Sequence, residues 1–166
     1  MNTCDEVRVS APAANTILRN GTLDDLEHAP NFDDLIAQYE DEAKIIGLPA
    51  RQPNWAMYRA MEQAGAFHVI CAHRDGELVG FATLIASIVP HYGVLMCSSE
   101  SLFVVKAHRK GGLGLRLLRA AQSRAKELGA QALFVSAPSE GALAKVLPRV
   151  GFKETNRSYF RKLSDG

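Results

Sequence analysis

Val104-Val105-Lys106-Ala107-His108-Arg109-Lys110-Gly111-Gly112-Leu113-Gly114-Leu115 is the stretch on which the reading of this chain turns. An apolar strand pattern ends at Val105, a basic turn rich in glycine follows, and an amphipathic pattern begins. Glycine accepts positive φ and lets the backbone come close to a ligand, so successive N–H groups can converge on an anion at the positive end of the next helix. Arg109 and Lys110 add charge beside it. The direct physical reading is a phosphate-binding loop. The alternative is a glycine-rich surface turn, which is disfavoured because glycines weaken a helix start that something should offset. Two common phosphate loops are excluded: there is no GxxxxGK[ST], and the glycines do not follow GxGxxG.

Working outward, a helix is expected from Gly112 to Leu128, with Leu113, Leu117, Leu118, Ala121 and Ala125 on one side and Gly129 as its stop. Upstream, Val94 to Val105 reads as a long strand. Phe67 to His73 and Leu78 to Val89 read as a hairpin about Arg74-Asp75-Gly76-Glu77, since Asp-Gly between apolar runs is a strong turn signal. Before the hairpin come a short strand at Ile17-Leu18, a helix start at Thr22 with Asp24 and Asp25 in its first turn, and two amphipathic helices. The first of these carries Phe32, Leu35, Ile36, Tyr39, Ala43 and Ile46 inward up to Gly47, with Asp33, Asp34, Glu40, Asp41 and Glu42 outward. The second runs from Pro53 to Ala64, with Trp55, Tyr58 and Met61 inward. Downstream, Ala132 to Ser136 reads as a short buried strand and Ser139 to Leu147 as a helix ended before Pro148. Phe152 to Glu154 and Ser158 to Leu163 read as closing strands. The expected fold is a mixed α/β sheet, largely antiparallel, with one β-α-β crossover and helices on both faces.

Composition agrees with a single domain. The chain has 166 residues, 47% hydrophobic and 22% charged, which is enough to bury a core and excludes disorder and a disulfide scaffold. Residues 1–14 read as a flexible leader and 15–166 as the domain. The longest apolar stretch, Leu78 to Pro90, is interrupted by Gly80 and Ser87 and is too short for a membrane span. With Asp5 and Glu6 at the start and no apolar block, no secretory signal is read. Cys4, Cys71 and Cys97 have no metal or CxxC spacing, so a reducing cytoplasm is the expected compartment. The net charge of +1 conceals a split: residues 1–100 hold 6 Lys and Arg against 14 Asp and Glu, and residues 101–166 hold 13 against 4. An anionic ligand on the second half and a cationic one near the first would explain it; so would charges that simply mix over one surface.

Arg109, Gly112 and Gly114 form Arg-x-x-Gly-x-Gly, which resembles the acyl-CoA pyrophosphate loop of the GNAT family of N-acetyltransferases. The resemblance extends over about Thr16 to Lys162. Ile17-Leu18-Arg19 with Thr22 and Asp25 is similar to the family's opening, Glu100-Ser101-Leu102-Phe103-Val104 to its fourth strand, and Gly151-Phe152 to its late Gly-Phe. It implies a fold of that kind and direct transfer of an acetyl group from acetyl-CoA to a small-molecule or peptide amine. Leu102, Phe103 and Val104 would pair with pantetheine through their backbone. Arg109, Lys110, Gly111, Gly112, Leu113 and Gly114 would hold the phosphates.

Glu100 is the single acid between Glu77 and Glu127. A carboxylate in an apolar strand is desolvated, which favours taking up a proton and suits a general base; the plain alternative is a strand-face residue bonded to a nearby Ser or Arg. The resemblance also places a glutamate base here. A main-chain N–H of the same strand would polarise the acyl carbonyl. The chain departs from the family at Leu147, where many relatives carry a tyrosine that protonates the leaving thiolate, and at Glu140 in place of an asparagine. Tyr159 is the candidate replacement acid, with Tyr92 or water as alternatives and a packed sheet aromatic as its structural reading.

His68, Cys71 and His73 do not share one strand face, so no metal site is expected. His108 caps the loop or meets solvent. Arg116, Arg119, Arg124 and Lys126 lack interleaved aromatics and read as a solvated helix face, so neither nucleic acid nor membrane is an expected partner. Homodimerisation through an edge strand is a further expectation. Two other readings stay open: an acyl-CoA-binding module without transfer, and an unrelated anion-binding α/β domain.

Overall fold

The structure is a computed structural model that describes residues 15–45, 48–49 and 52–163. The leader at 1–14, and Ile46 and Gly47 at the expected end of the second helix, lie outside the described residues. Among the described residues five strands form one sheet in sequential order: β1 (Thr16–Gly21), β2 (Phe67–Arg74), β3 (Glu77–Val89), β4 (Val94–Val104) and β5 (Leu133–Phe134). The first four are antiparallel, and β5 joins β4 in parallel after a crossover through the helix α4 (Leu113–Glu127). The hairpin turn is where Asp75-Gly76 placed it, both residues at positive φ.

Among the described residues three helices precede β2: α1 (Leu23–Glu27), α2 (Phe32–Ala43) and α3 (Trp55–Gln63). Thr22 caps α1 in a reciprocal box with Asp25, whose carboxylate also binds Arg19 at 2.7 Å. These contacts hold the Asp25 carboxyl down at about 2. α3 starts two residues later than Pro53 suggested, because the Asn54 side chain caps it through Met57 N.

Strand alternation sorts the core into two layers. Phe67, Val69, Cys71, Phe81 and Phe103 meet α1–α3, while Ile70, Ala72, Ala82, Leu84 and Val104 meet Leu113, Leu117 and Ala121 of α4. Helices thus cover both faces. Gly80 sits where the sheet and α4 come closest: a Cβ there would lie 2.7 Å from the Phe103 carbonyl oxygen and 3.1 Å from Leu117 Cδ1.

The C-terminal part departs from expectation. β5 is two residues long and partly exposed rather than a buried strand over Ala132 to Ser136. Pro138 follows shortly, and its carbonyl turns the chain back through Gly141 N. The next helix, α5 (Ala142–Val146), passes directly into a 3-10 turn at Leu147–Val150, with Pro148 inside the turn. Residues 152–163 form no strand, so both closing strands read from the sequence are corrected. So short an edge as β5 offers little ladder for a further strand, and Arg157 pairs locally with Glu154 at 2.9 Å instead.

Candidate active site

In the turn after β4, Lys106–His108 form a 3-10 turn, and Gly111 and Gly112 follow at φ 91° and 79°. Gly112 is the left-handed N-cap of α4, and no side chain caps the helix. The first bond inside the helix is Arg116 N to Gly112 O, which leaves the N–H groups ahead of it pointing outward. Space above the glycines is open: a Cβ at Gly111, Gly112 or Gly114 would meet nothing within 4 Å. A turn of this form fits a phosphate group on backbone N–H donors at a helix dipole. Leu113 is buried among the α4-layer residues and offers the site only its backbone. Lys110 is exposed beside the turn.

Arg109 is engaged elsewhere. Its Nε donates to Val104 O at 2.8 Å, and its guanidinium lies over the Phe103 ring and binds both oxygens of Glu42 on α2 at 2.8 and 2.7 Å. Lys106 reaches the same carboxylate at 3.6 Å. The basic turn is thus tied to α2 by an exposed ion-pair cluster.

Upstream of the turn, β4 is paired unequally along its two edges. On the β3 side it is bonded throughout, but β5 reaches it only at Cys97 and Ser98. Beyond Ser98, the backbone of β4 on that side meets no further strand among the described residues, and Leu102, Phe103 and Val104 lie on this open edge. An extended amide-bearing chain could add to such an edge by backbone pairing.

Glu100 sits where the ladder slips. Thr83 pairs with Ser101 and Leu84 with Ser99, so Glu100 is the residue passed over. Before the slip, Cys97 packs toward Ala125 of α4; after it, Phe103 packs toward α2. The bulge turns the side chains of both Glu100 and Ser101 to the α1–α3 face.

Four hydroxyls gather there. Tyr58 Oη donates to Glu100 Oε1 at 2.9 Å, while Thr83 Oγ1 and Ser101 Oγ donate to Oε2 at 3.0 and 2.6 Å. Ser101 gives its single proton to the carboxylate, so it accepts from Tyr39 Oη at 2.6 Å. The rings behind these hydroxyls are locked. Tyr39 packs edge-on to Phe81 and Phe103, and Tyr58 packs on Phe67 and Trp55. Among the described contacts Oε2 holds two donors and Oε1 holds one, so Oε1 keeps a lone pair for an incoming N–H. The carboxylate is half-buried and well bonded, in contrast to the apolar isolation its strand suggested.

The other sequence candidates lie apart from this cluster. Tyr159 is 90% exposed in the terminal stretch, neither packed on the sheet nor among the groups that meet at Glu100. Leu147 is buried. His108 approaches Arg74 at 3.4 Å, and Arg116 bonds Thr16 O. Cys71 and Cys97 are buried free thiols, and burial pushes Cys71 up to about 11. Among the described residues no cluster of His, Cys, Asp and Glu could hold a metal, and no helix is long and apolar enough to cross a membrane. Tyr39 and Tyr58 were missed as site residues because an aromatic on the inner side of an amphipathic helix reads as core; their hydroxyls were the available signal.

The fold is that of acetyltransferases. An aminoglycoside acetyltransferase, meta-AAC0020, from an uncultured soil metagenomic sample superposes with a TM-score of 0.69 at 19% identity, over 90% of this chain and 97% of that one. Ribosomal-protein-alanine N-acetyltransferase from Brucella melitensis biovar Abortus 2308 gives 0.67 at 20%, over 90% and 100%. AAC(6′)-Iy, solved with a bisubstrate analog CoA-S-monomethyl-acetylneamine, gives 0.66 at 23%, over 91% and 99%. No curated protein sequence matches the chain. The family described as "Acetyltransferase (GNAT) domain" matches residues 36–164, and the chain belongs to that family.

Proposed function

We propose that this protein is an N-acetyltransferase that moves an acetyl group from acetyl-CoA to a primary amine by direct transfer in a ternary complex. The observation that carries the proposal is the bulged Glu100 carboxylate, with a lone pair open on Oε1, on a strand whose edge is free and leads into the glycine turn. Support also comes from AAC(6′)-Iy, whose solved complex holds a CoA-linked analog.

Acetyl-CoA supplies the activated acyl thioester. The backbone of Leu102, Phe103 and Val104 would pair with its pantetheine arm, and the N–H groups of Gly111 to Gly114 with Lys110 would hold its phosphates. Arg109 would keep the loop in register with β4 and α2. Glu100 accepts the proton of the attacking amine at Oε1, while Tyr58, Thr83 and Ser101 hold the carboxylate in place. A β4 main-chain N–H beside the bulge polarises the carbonyl. With Leu147 buried and Tyr159 facing solvent, this reading assigns protonation of the thiolate to water; a CoA thiol leaves tolerably near neutral pH. The buried unpaired thiols support a reducing, cytoplasmic location.

A hundredfold excess of acetyl-CoA over its dissociation constant should stabilise the fold by roughly 2.7 kcal/mol, or about 2–4 °C of Tm per kcal/mol for a domain of this size. Free thiol should appear when a suitable amine is added. Absence of any shift at saturating acetyl-CoA would overturn the proposal. A shift without thiol release across a broad amine panel would favour the second reading, a binding module, to which the missing tyrosine at Leu147 points.

A further inference from the structure

We propose that the cavity beside α3 is the acceptor pocket, and that it takes a primary amine carried on an apolar body with one positive charge, in preference to a polyamine or aminosugar. This rests on the transfer reading above and adds the substrate class to it. The cavity has a volume of about 380 Å³ and is walled, among the described residues, by Gln52, Pro53, Asn54, Met57, Tyr58, Met61 and Ile85. That volume admits an aromatic or branched aliphatic group.

Two lining residues relate the cavity to the reacting carboxylate. Tyr58 contributes its ring to the wall and its hydroxyl to Glu100 Oε1 at 2.9 Å. Ile85 continues the face of β3 on which Thr83 bonds Glu100 Oε2. In this proposal an amine whose body fills the cavity directs its nitrogen past Tyr58 toward that carboxylate.

The charge pattern selects the class. Hydrocarbon and thioether groups form most of the wall, and the Asn54 side-chain oxygen is used in capping α3. The acids of α3 and α1 outside the cavity's lining have partners of their own: Glu62 accepts Leu23 N at 2.8 Å, and Asp24 and Glu27 pair with Arg59. Among the described residues no carboxylate lines the cavity, and Glu100 is bonded to one of the lining residues, Tyr58. One ammonium group has a partner there; a second would be desolvated against Met57, Met61 and Ile85. Methionine adapts to varied shapes, so the wall selects a class of apolar bodies more than one molecule.

Trp55 is the single tryptophan, and its ring lies 6.1 Å from that of Tyr58. Its fluorescence thus reports binding in the intact chain without transfer. Phenethylamine should give a saturable change at concentrations at least tenfold lower than 1,4-diaminobutane. Met57 is 59% exposed, so Met57→Glu should leave folding intact and narrow or reverse that order, while Met57→Ala should weaken phenethylamine without strengthening the diamine. Equal or tighter binding of the diamine to the unaltered protein would overturn the proposal, as would an order unchanged by Met57→Glu. Saturable phenethylamine binding without acetylation at saturating acetyl-CoA would support the pocket and count against the transfer reading. Acetylation of polyamines in preference to phenethylamine would overturn the substrate class and leave transfer standing.

Discussion

The glycine turn and the Glu100 cluster flank the same half of β4, yet they are assembled in opposite ways. The backbone of the turn is contiguous: its 3-10 turn, glycines and helix start lie within the one stretch from Val104 to Gly114, with Glu42 of α2 bracing it from outside. The cluster draws hydroxyls from α2, α3, β3 and β4, and its partners stand up to 62 residues apart. A contiguous site depends on local backbone conformation, so a single wrong side chain ruins it without disturbing the fold. A gathered site depends on packing, so its parts can fail separately.

The largest effect should come from Glu100→Gln, which keeps the shape of the side chain and removes the base. Turnover should fall roughly 10²- to 10⁴-fold with affinity for acetyl-CoA nearly unchanged. The pH profile of kcat/KM should show partial recovery at high pH, where more of the amine is already neutral. An unaltered profile would shift the base to an acid of the helical region, with Asp33, Asp34, Glu40 and Glu42 next to replace.

Gly112→Asp tests the contiguous site. It forces a side chain into φ 79° and sets a negative charge on the turn. It should abolish the thermal shift with acetyl-CoA, roughly 2.7 kcal/mol at a hundredfold excess. The added side chain meets no neighbour, so the cost is the positive φ alone, and circular dichroism checks that the variant still folds. Normal acetyl-CoA binding by a folded variant would break the assignment.

Gly80→Ala probes the sheet that carries both sites. Its Cβ would press on a backbone carbonyl, so denaturant unfolding should show a loss of about 1–3 kcal/mol. The smallest effect is expected at Asp25→Asn, a loss of about 1 kcal/mol through the α1 cap. Asp25 is harder to protonate in the folded state than in the unfolded one. Its contribution is therefore complete above 3.8 and lost as pH falls through about 2. The gap between the two proteins in urea should close over that window.

Local chemistry made much of this legible from sequence. Asp75-Gly76 marked the hairpin, Thr22 with Asp25 marked a helix start, and the glycines marked the entry to α4. What escaped was long-range or absent. Glu42 and Arg109 are 67 residues apart, and no periodicity links them. Tyr39 and Tyr58 occupy inner helix positions, where hydroxyls look like core aromatics. The alternation at Ser158 to Leu163 reads as a strand, but the short edge of β5 leaves it unpaired.

The bulge at Glu100 works as a phase shift in a two-beat pattern. Upstream of it odd positions face α4, and downstream they face α2. Deleting any one residue between Ser99 and Ser101 would restore an unbroken beat with Cys97 and Phe103 still in their opposite layers, at the cost of one member of the cluster or its support. The extra residue therefore serves the cluster and not the sheet. A library one residue shorter at 99–101 would retain folded members and lose the gathered carboxylate.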